Sequence, residues 1–226
     1  MGRGIAWTCW NLFLALLPVL LGRSLARTAA GRLHAGTALL LAGWLLLLPN
    51  TAYLMTEWRH FLFDDHFVLL RERGQADRAA MFETAVWGLL FAGYAATGAL
   101  LFTLAVRPVE RLARGRGHAV LRWAPILLLL VALGVYIGLF ERVNSWDALA
   151  NPGAVLEGAL RALRHPTAAL AIVGFAVILG VIYLVVGWVL DGLAADLARV
   201  RARRRSTSTT AASTNQDARD GQAKRA

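Results

Sequence analysis

The side chains of this sequence that can do chemistry fall into two short runs. One is PNTAYLMTEWRH, Pro49 to His60, which carries Asn50, Tyr53, Thr56, Glu57 and His60 and leads on to Asp64, Asp65 and His66. The other is YIGLFERVNSWD, with Tyr136, Arg142, Asn144, Ser145, Trp146 and Asp147. Glu57 and His60 stand about one helical turn apart, so on a helix they share a face. With Asp64 they make a set able to ligate a divalent metal, Asp65 or His66 being further donors. The same groups suit proton transfer, with Glu57 or Asp147 as acid-base candidates and His60 as base. Each reading has a plainer counterpart. Thr56 can cap an interfacial helix whose positive end Glu57 favours, with Trp58 and His60 as headgroup-level anchors. Asn144 can cap a helix by accepting from the backbone N–H three residues on, where Asp147 complements the helix N-terminus, with Trp146 buried at the interface. Asn50 can satisfy backbone groups that Pro49 frees.

The elements that must position these runs are set by composition. With 58% hydrophobic and 17% charged residues and a mean hydropathy of +0.53, the chain is too apolar for a water-soluble domain of its length. A helical span needs roughly 20 apolar residues to cross about 30 Å of hydrocarbon. Five stretches qualify, residues 5–22, 36–55, 84–106, 123–140 and 168–190, and none has a charge at its centre. Strand alternation is absent, which argues against a barrel. The fold expected is all-α, a polytopic integral membrane bundle over residues 1–198 with interfacial helices, followed by a basic and then disordered cytoplasmic tail over 199–226. The first stretch is followed by Arg23, Arg27 and Arg32 without a small-residue cleavage site, so it reads as a retained anchor and not as a signal peptide.

The second span explains why polarity enters where it does. Its uninterrupted apolar run, residues 36–48, covers only roughly 20 Å as a helix, too little to cross. Pro49 and Asn50 therefore belong inside the membrane, in a helix kinked or locally unwound at Pro49. If that helix continues, Asn50, Tyr53, Glu57, His60 and Asp64 fall within an arc of roughly 80°. Such a stripe should face other helices or a wet cavity. The fourth span ends in the second polar run at the same membrane level. Gly134 and Gly138 there form a small-xxx-small surface open to close helix approach.

Arginine placement predicts the N-terminus outside and the C-terminus in the cytoplasm, because arginines crowd the loops after the first and third spans and the segment RVRARRR after the fifth. The net charge of +10 is then a feature of the inner membrane surface, and no nucleic-acid partner is expected. The single Cys9 excludes an intramolecular disulfide. No phosphate loop, paired-cysteine site or internal repeat occurs, and no cofactor is specified. Residues 154–165 space Leu156, Leu160 and Leu163 at helical intervals, with Glu157 set to pair with Arg161, as in a helix lying on the membrane surface. Trp44, Trp87 and Tyr94 read as packing or interface residues.

The segments LLPNTAYLMTEWRHF and GVYIGLFERVNSWD resemble the two signatures of a family of bacterial membrane proteins of unknown function, domain of unknown function 1361, and WNLFLALLP is similar to its first span. The resemblance extends from about Trp10 to Leu190. The family's Leu-Pro-Asn-Ala-Pro-Tyr run, followed by Thr-Asp and a His, corresponds to Leu48, Pro49, Asn50, Thr51, Ala52, Tyr53, Thr56, Glu57 and His60. Here Thr51 and Ala52 replace Ala-Pro, and Glu57 replaces Asp. In the second signature Leu139 stands in place of an Arg, and Glu141 adds an acid. The resemblance implies a bacterial cytoplasmic-membrane location and places the site, but supplies no reaction. Three functions fit: a site at the outer face that binds or acts on a lipid-linked or envelope substrate, a small transporter or channel subunit, and a structural partner in a membrane complex or homo-oligomer. The first accords with the convergence of two polar runs at one depth. Against the second, the spans do not divide into two equal repeats.

Overall fold

The structure, a computed structural model, describes residues 2–28, 35–143 and 147–223. It is all-α among those residues. Five helical segments are long and apolar enough to cross a membrane: Ala6–Thr28, Ala35–Phe63, Arg78–Gly115, Arg122–Glu141 and Pro166–Arg201. These match the five spans read from the sequence to within one residue at the start of the first, and extend beyond them at their ends by polar residues that helical hydrogen bonding can still include.

The chain forms two compact units, Met1–Tyr183 and Leu184–Ala226. In the first, α1 (Gly2–Thr28) packs on α2 (Ala35–Leu47), α3 (Pro49–Thr56) and α6 (Arg78–Gly115). Two short helices, α4 (Trp58–Phe63) and α5 (Asp65–Arg73), fold against α6. Helix α7 (Val120–Tyr136) packs on α3 and runs into a π-helical turn, Ile137–Glu141. Beyond it, α8 (Asp147–Ala150) and α9 (Pro152–Arg164) precede α10 (Pro166–Ala223). Phe102, Leu48, Leu54, Val131 and Leu179 are fully enclosed and anchor the core. Leu39, Leu89 and Leu170 are each more than 70% exposed. In a protein whose solvent is hydrocarbon, these outward leucines are as well placed as buried ones.

The second unit is the continuation of α10. Its backbone is helical through Ala223, whereas the composition beyond the basic segment 199–205 predicts disorder. Ala, Leu and Arg dominate residues 194–204, and their high helix propensity carries the helix past the apolar stretch.

Proline sets the local geometry of the first unit. Pro49 has no N–H, and the helix is interrupted for one residue at Leu48 between α2 and α3. Two side chains repair the interruption: the Asn50 amide donates to the Leu47 carbonyl at 2.9 Å, and the Thr51 hydroxyl donates to the Leu48 carbonyl at 2.7 Å. The expected kink is thus a brief interruption with its own polar dressing. On the other side of this point, Pro49 packs on α7 at Gly134, where a Cβ would lie 2.6 Å from the proline Cγ. Glycine is required there, and the close approach expected of the Gly134 surface is made by Pro49 itself.

The loop-like region after α3 is held by aromatic packing. Phe61 meets Trp58, Phe67 and Phe91 at ring distances of 5.3, 5.7 and 5.8 Å, and Phe67 also meets Trp87 at 5.5 Å. Arg71 lies over the Phe61 ring and donates to the Phe61 and Leu62 carbonyls, closing the end of α4. Helix α9 has the amphipathic character read from its leucines: Leu156, Leu160 and Leu163 are exposed. Its polar face carries the expected Glu157–Arg161 pair at 3.2 Å. Arg161 reaches Glu141 as well, at 2.8 Å, and Asn151 caps the helix by accepting from Ala154 N–H.

Candidate functional site

The two signature runs meet around a cavity of about 90 Å³. From α3 it receives Pro49, Asn50 and Tyr53, and from α7 and the π-helical turn Gly134, Val135 and Gly138, with Val143 just beyond. Helix α1 closes it with Trp7, Trp10, Asn11 and Leu14. The volume matches a few water molecules or one small polar group. Its lining is of one chemical kind: two carboxamides, a phenol and two indoles, all neutral hydrogen-bonding groups, beside aliphatic surface. Asn50 and Tyr53, one turn apart on α3, both face it. The amide nitrogen of Asn50 also serves the Leu47 carbonyl, the backbone role expected of it after Pro49.

The acid and imidazole of the first run lie further along the chain and do not line the cavity. Glu57, in the break between α3 and α4, is mostly buried and lies 3.7 Å from the half-exposed His60 imidazole. Tyr53 lies within electrostatic reach of Glu57 and Arg59, and Tyr94 of α6 within reach of Glu57 and Tyr53 and beside the Asn11 amide. A polar belt therefore runs from Asn11 through Tyr94 and Tyr53 to Glu57 and His60. Tyr94, read as a packing residue, bridges this belt while also packing against the core. Trp44 is a packing residue as expected: it is buried, and its indole donates to the Ala105 carbonyl at 3.1 Å.

Three expectations are corrected in detail. Thr56 does not cap α4. It closes α3, and its hydroxyl donates back to the Tyr53 carbonyl at 2.7 Å, because the chain stays helical through Glu57 and offers no extended cap residue. Asp64 leaves the polar stripe. The backbone is extended at Asp64, which caps α5 by accepting from His66 N–H at 3.0 Å, so helical periodicity stops short of it. Among the described residues no group of three His, Cys, Asp or Glu side chains gathers as a metal site would. The pair Glu57 and His60 is what remains of the proposed ligand set.

In the second run, Tyr136 stacks on Phe140 with ring centroids 4.6 Å apart and does not line the cavity. Arg142 is exposed and adopts a left-handed backbone conformation (φ 54°), which ends the π-helical turn. Asn144, Ser145 and Trp146 lie outside the described residues. Asp147 lies in the first turn of α8, and the Asn144 cap falls outside the described residues. The sequence reading missed the contribution of α1. Asn11, an uncharged amide inside an otherwise apolar span, was the available signal, since such a group needs a partner at membrane depth.

A second, larger space adjoins the first. A groove of about 430 Å³ shares Pro49, Gly134 and Val143 with the polar cavity and is otherwise apolar, with Leu45, Leu133 and Ile137 among its walls.

The fold and the outward-facing leucines define an all-α helical membrane protein. The sequence profile of a family described as protein of unknown function, DUF1361, matches residues 10–183, and the chain belongs to that family. No curated protein and no solved structure matches the chain at a significant level.

Proposed function

We propose that the chain binds a lipid-linked or envelope amphiphile at the outer membrane face, with its polar head in the cavity between α1, α3 and α7. The observation that carries this reading is the joining of the neutral polar cavity to the apolar groove at Pro49, Gly134 and Val143. Asn50, Tyr53 and Asn11 would hydrogen-bond the head, the two indoles would cover its apolar faces, and the groove would take the first part of the hydrocarbon chain. Glu57 and His60 sit about one turn beyond, placed to act on a group that protrudes from the cavity, which leaves room for an acid-base step at a substrate too large to be enclosed. The arginine distribution puts this end outside and the C-terminus in the cytoplasm.

The test is extraction of the full chain directly into polymer-bounded native membrane discs, followed by mass spectrometry of the co-purified lipids. Wild type should retain a lipid-linked species that Asn50→Leu and Tyr53→Leu both lose, with each variant still monodisperse. Identical lipid profiles in all three proteins would end this reading. A second experiment asks whether chemistry follows binding: failure of Glu57→Gln and His60→Ala to complement a deletion strain at normal protein level is expected. Full complementation by both would leave binding alone.

A further inference from the structure

A groove of about 500 Å³ lies at the end of the first unit where α1 and α6 bring their arginines together. Arg23 enters it from α1, and Arg107 and Arg111 from α6, beside Leu104, Pro108 and Leu112. Residues 104, 107, 108, 111 and 112 follow helical spacing, so a single face of α6 presents both the cations and the apolar side chains. Among the described residues no carboxylate lines the groove. Glu110, the acid between the two α6 arginines, is engaged elsewhere: it pairs with Arg114 at 2.7 Å and accepts from the Tyr183 hydroxyl. Among the described residues, Arg23 and Arg111 form no ion pair with an acid.

The convergence is held in place by tight packing. At Gly22, next to Arg23, a Cβ would lie 2.6 Å from the Ala105 carbonyl oxygen, and that same oxygen accepts from Trp44. Gly22 thus seats α1 directly against α6, beside the buried hydrogen bond that ties α2 to α6. The Arg23 and Arg111 guanidinium groups, without an acid partner among the described residues, need a counter-anion, and guanidinium groups match the geometry of a phosphate. The leucines and the proline alongside suit an anion that carries hydrocarbon.

We infer that this groove binds the phosphate head of an anionic phospholipid from the surrounding leaflet, with Arg23 and Arg111 as its ligands and Leu104, Pro108 and Leu112 against its acyl chain. Basic pockets between membrane helices recognise lipid head groups in this way. The inference is independent of the polar cavity, which shares no residue with this groove.

The full chain in detergent is titrated with phosphatidylglycerol, and native mass spectrometry counts the lipid molecules retained. Phosphatidylcholine and inorganic phosphate serve as comparison probes. The expected result is one phosphatidylglycerol retained at least tenfold more tightly than phosphatidylcholine, with Arg23→Gln and Arg111→Gln each weakening it at least fivefold. Arg73→Gln, at the end of α5, should change it less than twofold. If Arg23→Gln fails to fold, Arg111→Gln on the exposed helix surface carries the same comparison. Equal weakening by Arg73→Gln would reduce the effect to diffuse charge and overturn the inference. Equal retention of phosphatidylcholine, or displacement of the lipid by millimolar inorganic phosphate, would overturn the assignment to an anionic lipid.

Discussion

Along α1, Trp7, Trp10 and Asn11 border a small neutral cavity, whereas Arg23 borders an open groove of guanidinium groups. The groups at the first place are amides, a phenol and indoles, and one of them, Asn50, is tied into the backbone that Pro49 interrupts. The groups at the second are full charges on long side chains. The difference follows from solvent. A polar group set among helices within the hydrocarbon layer must be neutral and satisfied by its neighbours, while a cation near the interface can extend to water or phosphate. Recognition as proposed would therefore depend on close packing at the cavity and on electrostatics at the groove.

The largest effect should come from breaking that packing. Gly134→Leu forces side-chain atoms into Pro49, and overpacking of this kind costs about 3 kcal/mol. Thermal unfolding in detergent should drop sharply for Gly134→Leu, with loss of any cavity ligand. Gly138→Leu is the companion: a Cβ there has its nearest neighbour at 3.7 Å, so that variant should keep most of its stability. Equal behaviour of the two would mean the Pro49 contact does not define the cavity.

Next in size is Trp44→Phe. It leaves the Ala105 carbonyl without its indole donor in a buried setting, at a cost of about 2 kcal/mol. Trp7→Phe, at a residue 63% exposed, should be neutral to within about 0.5 kcal/mol by the same unfolding measurement. Because Trp44 ties α2 to α6 next to Gly22, its loss should also weaken lipid retention at the arginine groove while leaving the polar cavity's ligand in place. Asn50→Ala follows at about 1 kcal/mol, since the Leu47 carbonyl loses its donor. Hydrogen exchange near the α2–α3 junction should rise in Asn50→Ala and stay unchanged at the α1 end that carries Arg23.

The spans were legible in the sequence because long apolar runs leave no soluble alternative, and the break at Pro49 because a run that stops at Leu48 cannot cross. The pairing of α3 with α7 at Gly134 was half legible: the small surface could be seen, its occupant could not, since packing partners are set by topology and not by local spacing. Asp64 shows where periodicity misleads. Its alignment with Asn50 and Tyr53 assumed one uninterrupted helix, and a cap two residues before His66 had an equally good local signal. The arginine groove was invisible because positive charge near a span end reads as topology in any sequence. Only the side-by-side placement of α1 and α6 turns it into a candidate anion site.

The smallest effect tests whether charge matters at all near the cavity. Glu141 of the π-helical turn and Glu157 of α9 both bind Arg161, whose side chain is 61% exposed. Exposed ion pairs contribute about 0–1 kcal/mol, and salt screens them. Glu157→Gln, at the more exposed of the two acids, should leave unfolding unchanged. Glu141→Gln should release α9 locally, raising hydrogen exchange across residues 152–164 at low salt and less so at high salt, with little change in global stability. Glu110→Gln makes the counterpart near the arginine groove, where the less exposed carboxylate holds both Arg114 and Tyr183, and should lower global stability more than Glu141→Gln does. If the order were reversed, charge would be structural at the cavity and dispensable at the groove, and the distinction between packing and electrostatics would have to be redrawn.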